Sequence, residues 1–100
     1  MDNINVCHTL EEARKEIDKV DEEIVRLIAK RNAYIKQIAH FKTSIEEVKA
    51  EDRIEDVINR VRALAIEYDL NPNLINDLYV RMIDGMVESE IAEFTNAQKY

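Results

Sequence analysis

Three cations stand on or beside an apolar stripe in the first half of the chain: Arg14, Arg31 and Lys42. Arginine grips carboxylates with a planar fork and lysine with a point charge, so the chemistry to weigh is a site for a small dianion. Arg31 is the sharpest case. It replaces an aliphatic residue in a seam of Leu10, Ala13, Ile17, Val20, Ile24, Leu27, Tyr34, Ile38 and Phe41. A guanidinium buried there must be paired. A structural ion pair with an acid elsewhere, a polar seam residue that fixes register and a ligand site all meet that need. Lys42 follows about three helical turns later, roughly 16 Å along the axis and on nearly the same face. Two cations so placed can hold the two ends of a molecule the size of a substituted cyclohexadiene. Arg14 lies beside the seam but about 42 Å from Lys42, too far to share a site with it in one chain.

An acid is also out of place. Ile83, Val87, Glu90 and Phe94 recur at the spacing of one helix face, which points Glu90 at the core. As structure, Glu90 would be the partner of Arg31. As chemistry, a carboxyl in an apolar, ligand-facing place has its pKa raised by desolvation, and protonated it donates a hydrogen bond. Other chemistry is thin. His8 and His40 have no metal-ligand spacing with Cys7 or with acids, no glycine-rich loop could cradle a nucleotide, and no Ser or Cys has a histidine placed to activate it. Neither a metal nor a cofactor is expected.

The elements that must position these residues are helices. Thr9 and Glu12 form a capping box that opens helix 1. Its seam of alternating three- and four-residue steps predicts a helix over about residues 9–42, near 50 Å long at roughly 1.5 Å per residue. A helix of that length packs against a partner or leaves an apolar stripe wet. Residues 43–49 read as a polar break. Helix 2, over about 50–68, opens with Glu51 and Asp52, favourable at a positive helix N-terminus, and buries Ile54, Val57, Ile58, Val61, Leu64 and Ala65. Asn71 as N-cap and Pro72 as first helical residue start helix 3, over about 72–97. Gly85 in its middle costs about 1 kcal/mol of helix propensity, and close packing against another helix would account for it. The expected fold is all-α, a single domain of three helices spanning 1–100.

Bulk properties narrow the partners. A net charge of −7 and a pI near 4.8 disfavour nucleic acid and anionic membranes. Cys7 is the one cysteine, and no apolar run approaches membrane-spanning length, so the reading is a cytoplasmic protein. With one glycine and one proline the chain turns back on itself rarely, and part of its core is expected from a second copy. If two first helices pair antiparallel about a point near Ile24 or Val25, Arg14 of one chain falls opposite the 31–42 stretch of the other. The dimer then has two equivalent sites, each with one borrowed cation.

Four segments at their intervals carry a resemblance: Arg14-Lys15-Glu16-Ile17-Asp18 with Val20-Asp21, then Lys30-Arg31, Phe41-Lys42 and Asp52-Arg53. In an acidic three-helix chain of this length the pattern resembles the type II chorismate mutases over nearly the whole sequence. The resemblance implies an interlocked helical homodimer with two sites. In each, Arg31 and Arg14 of the neighbouring chain would bind the carboxylates of a chorismate-like substrate. Lys42 would contact a carboxylate and the breaking ether oxygen, Arg53 would add a contact, and Glu90 would stand where the family has a glutamine that donates to that oxygen. Glu90 there is similar to the fungal mutases and must be protonated to serve. Two departures matter. Mutases usually place acids at the positions of Ala50 and Ile54 to serve the ring hydroxyl, and the Lys42–Arg53 interval is one residue shorter here. Both features, with Cys7, Tyr34-Ile35-Lys36 and Phe41-Lys42-Thr43-Ser44, resemble the isochorismate pyruvate lyase branch, which makes salicylate and pyruvate. The resemblance therefore implies the lyase, with mutase side activity, ahead of a chorismate mutase of aromatic amino-acid biosynthesis. The non-catalytic reading is a helical dimerisation module whose Arg31 pairs Glu90.

Overall fold

The computed structural model describes residues 4–99, and side-chain surroundings through residue 96. Every regular element among them is helical: α1 Leu10–Ala39, α2 Ile45–Lys49, α3 Glu51–Glu67 and α4 Pro72–Lys99. They divide into two units, one ending at Tyr34 and the other beginning at Ile35.

The first unit is almost entirely α1. Its start follows the capping chemistry expected: the Glu12 N–H donates to Thr9 Oγ1 at 3.1 Å, and Glu12 Oε2 accepts from the His8 N–H at 2.9 Å. The reciprocal bond therefore falls on the residue before the cap, and both orphan donors are satisfied. Along the helix the seam is wet. Ile17, Val20, Ile24 and Leu27 are each about half exposed or more, as are Leu10 and Tyr34.

The second unit holds the core. α3 closes with Asp69 in the left-handed region at φ 61, and the Leu70 N–H reaches back to the Ala65 carbonyl at 2.7 Å. This wraps the helix end in the manner usually given to glycine. Asn71 then caps α4, its Oδ1 accepting from the Asn73 N–H at 2.9 Å. The Arg62 guanidinium donates to the Pro72 carbonyl and to Asn73 Oδ1, both at 3.3 Å, and so fastens α3 to the start of α4. Along the hairpin, Val57, Val61 and Ile83 are buried with Ile54, Ile58, Ile75, Tyr79 and Val87 around them. A second cluster joins Ala39, Val48 and Phe94, flanked by Val87 and Ile91.

Three expectations are corrected. α1 ends at Ala39 rather than near residue 42. The N–H groups of His40, Phe41 and Lys42 bond to the carbonyls three residues back, at 3.2, 2.9 and 3.3 Å, a tightening that closes the helix. The break at 43–49 contains a five-residue helix, because Ser44 caps it and Val48 anchors it at 2 % exposure. Gly85 is exposed, and a Cβ built on it meets nothing within 4 Å in this chain. The close packing expected at Gly85 is therefore not made among the described residues.

Candidate active site

In the second unit the structure brings together two of the five candidates, Lys42 and Glu90. Glu90 is 5 % exposed, the one buried charged side chain among the described residues. The face Ile83, Val87, Glu90, Phe94 explains why. Val87 belongs to both apolar clusters and Phe94 to the second, so a residue between them on that face is carried inward. Glu90 Oε2 is buried with no hydrogen-bond partner among the described residues. Burial pushes its carboxyl above the usual range, and the nearby Lys42 ammonium pulls partly the other way. One turn further along α4, Glu93 Oε1 lies 3.1 Å from His40 Nε2, a bridge across the end of α1.

Lys42 stands on the turn beyond α1, so the helical-face argument for its placement does not reach it. It is half-buried, and its ammonium donates to the Glu47 carbonyl at 3.0 Å. One of its three protons is used there, which leaves two donors for a ligand.

Arg53 is exposed on the first turn of α3. It lines an open depression with Glu46, Lys49, Ala50, Glu51 and Asp52, and that lining includes neither Lys42 nor Glu90. Ala50 joins α2 to α3 in the left-handed region, φ 33 and ψ 58. Ile54, four residues later, is packed against the Val57–Val61–Ile83 cluster. Neither position offers an acid.

Arg14 and Arg31 belong to the first unit. Arg14 is exposed and Arg31 half-buried on α1. Seventeen residues of helix separate them, about 25 Å of rise, so the two guanidinium groups cannot grip one small ligand from a single chain. Asn32, beside Arg31, was not singled out by its sequence position. Its Oδ1 is buried without a hydrogen-bond partner among the described residues. Glu47 was missed as well, although Ser44-x-x-Glu47 is a capping-box signature legible in the sequence.

A half-buried ammonium and a buried carboxyl raised in pKa can contact a small anion. They can also place positive charge and a proton beside a developing oxyanion. The profile of one protein family, described as chorismate mutase type II, matches residues 13–91. The chain belongs to that family. A type II chorismate mutase fold agrees with regular elements that are all helical among the described residues. Among similar proteins, a chorismate mutase of Methanocaldococcus jannaschii is 33% identical over 66 residues, covering 65% of this chain and 67% of that one. An isochorismate pyruvate lyase of Pseudomonas aeruginosa is 26% identical over 85 residues, covering 85% of this chain and 84% of that one. Among the described residues of this family member, no helix is long and apolar enough to cross a membrane. None of its described His, Cys, Asp or Glu side chains form a group of three that could hold a metal ion.

Proposed function

We propose that this chain is a pericyclic enzyme acting on a chorismate-type dicarboxylate, and that its principal reaction converts isochorismate to salicylate and pyruvate. The observation that carries the reading is a half-buried Lys42 close enough to act on the charge of buried Glu90, on a chorismate mutase type II scaffold. A pericyclic rearrangement or elimination needs no nucleophile and no separate acid or base. It needs a folded substrate held still and positive charge or a proton where the ether oxygen leaves its ring carbon. In this reading Lys42 and protonated Glu90 are the catalytic groups at that oxygen, and Arg31 and Arg53 bind the substrate. Arg14 reaches the site from the neighbouring chain of a homodimer. The exposed seam of α1, with Ile17, Val20, Ile24 and Leu27 open to water in the protomer, supports a second copy as the cover. The protein works in the cytoplasm, in keeping with a single cysteine.

The lyase is preferred to the mutase on one feature. Ala50 and Ile54 offer no carboxylate for the ring hydroxyl of chorismate, and Ile54 is committed to the core. The higher identity to an archaeal chorismate mutase favours the second reading, chorismate to prephenate. Incubating the purified chain separately with isochorismate and chorismate, and measuring salicylate and prephenate, decides between them. Faster turnover of chorismate would reverse the preference. A folded protein that transforms neither would return the chain to the dimerisation-module reading.

A further inference from the structure

Lys42 is one of the two catalytic groups of the proposed reading, yet it sits past the last hydrogen bond of the α1 ladder. A four-carbon side chain on a turn needs something to hold it. Glu47 supplies that hold from two sides. Its carbonyl accepts from the Lys42 ammonium at 3.0 Å, and its carboxylate Oε2 accepts from the Thr43 N–H at 2.7 Å. Its own N–H donates to Ser44 Oγ at 3.2 Å. The next residue, Val48, is buried against Ala39 and Phe94, so the short helix that presents Glu47 is itself pinned to the α4 stretch that carries Glu90.

We infer that Glu47 is the positioning residue of the site: its carboxylate closes the 43–47 turn and its carbonyl holds the Lys42 ammonium near Glu90. The inference rests on the proposed roles of Lys42 and Glu90. Glu47 touches no substrate in this scheme and acts through Lys42. Its carboxyl is held below the usual range, first by the Thr43 N–H, then by the Thr43 hydroxyl, with Lys42 adding to the effect. Of the charged groups on the turn, α2, α3 and α4, Lys42 is the one whose charge acts on Glu90, and Glu93 on α4 itself is paired with His40.

The test follows the Glu90 side-chain carboxyl by 13C NMR titration in the purified full chain, alongside kcat and KM. Glu47→Ala is expected to raise the Glu90 midpoint, because a loosened ammonium stabilises the carboxylate less. It should also lower kcat by roughly ten- to a hundredfold with KM changed less. Glu47→Gln keeps an acceptor for the Thr43 N–H and should preserve both. Glu47→Asp, one methylene short of that N–H, should move both in the direction of alanine while keeping the charge, and it serves if the alanine variant fails to fold. In a Lys42→Ala background, Glu47→Ala should move the midpoint no further. A midpoint unchanged by Glu47→Ala and Glu47→Asp, or shifted equally with and without Lys42, overturns the inference. The titration needs no turnover, so a wild-type protein inactive on both substrates would sink the proposed function and still leave the clasp tested.

Discussion

Replacing Glu90 with glutamine separates the charge of this side chain from its shape. With 5 % of its surface exposed and Oε2 unpartnered among the described residues, Glu90 is stabilised in its neutral form, and burial raises its pKa. The sign follows. The fold's advantage from a neutral Glu90 is complete below the ordinary carboxylate range and is lost as pH rises through the raised midpoint. Above that midpoint the wild type gives up about 1.4 kcal/mol for each unit by which the midpoint has been raised. Glu90→Gln, neutral throughout, does not. Urea unfolding should therefore find the variant level with wild type in this respect at acid pH and relatively more stable at alkaline pH. Catalysis should follow the same proton. If the neutral carboxyl donates to the ether oxygen, the wild-type rate falls about tenfold per pH unit above the midpoint, whereas Glu90→Gln gives a profile flat through that range. Continuous absorbance and fluorescence assays from acid to alkaline pH measure both. Parallel rate profiles in the two proteins would refute the assignment, and parallel stability profiles would refute the burial argument beneath it.

Two further outcomes are expected. Ala50 lies in the left-handed region at φ 33, so Ala50→Gly relieves backbone strain at some cost in unfolded-chain entropy. The net gain should be up to about 1 kcal/mol by urea denaturation, and a loss would show that the strain is absent. Arg14→Ala and Arg31→Ala should each abolish turnover, and co-refolding the two should restore roughly a quarter of wild-type activity, because half the dimers are mixed and each mixed dimer has one intact site. No recovery would exclude a site shared across the interface.

Much of this was legible in the sequence. Regular spacing of apolar residues gave α1, α3 and α4 nearly to their ends, because each is long enough for a periodic face to emerge. Thr9 with Glu12, and Asn71 with Pro72, marked two starts because capping is local chemistry. The inward placement of Glu90 followed from its neighbours on one face. What escaped was decided by short-range or absent contacts. Phe41 continues the heptad, yet backbone bonds to carbonyls three residues back end the helix before it. A five-residue helix is too short for periodicity to show, so Ser44, Glu47 and Val48 read as a polar break. A Cβ at Gly85 would meet no close neighbour among the described residues, and composition could not say so. The cations were visible as charge on the wrong face. That Arg14 and Arg31 do not act together within one chain was legible too, because about 25 Å of helix separates them.

In the proposed function a lysine and a buried carboxyl raised in pKa serve a pericyclic reaction on a chorismate mutase type II scaffold. The direct measurement is turnover by the purified chain, without added metal or cofactor, of isochorismate to salicylate and of chorismate to prephenate, with Lys42→Ala beside it. Conversion of at least one substrate is expected, isochorismate the faster, with a loss of about a hundredfold or more in the variant. Conversion of neither by folded protein, or equal rates with and without the Lys42 ammonium, would contradict it.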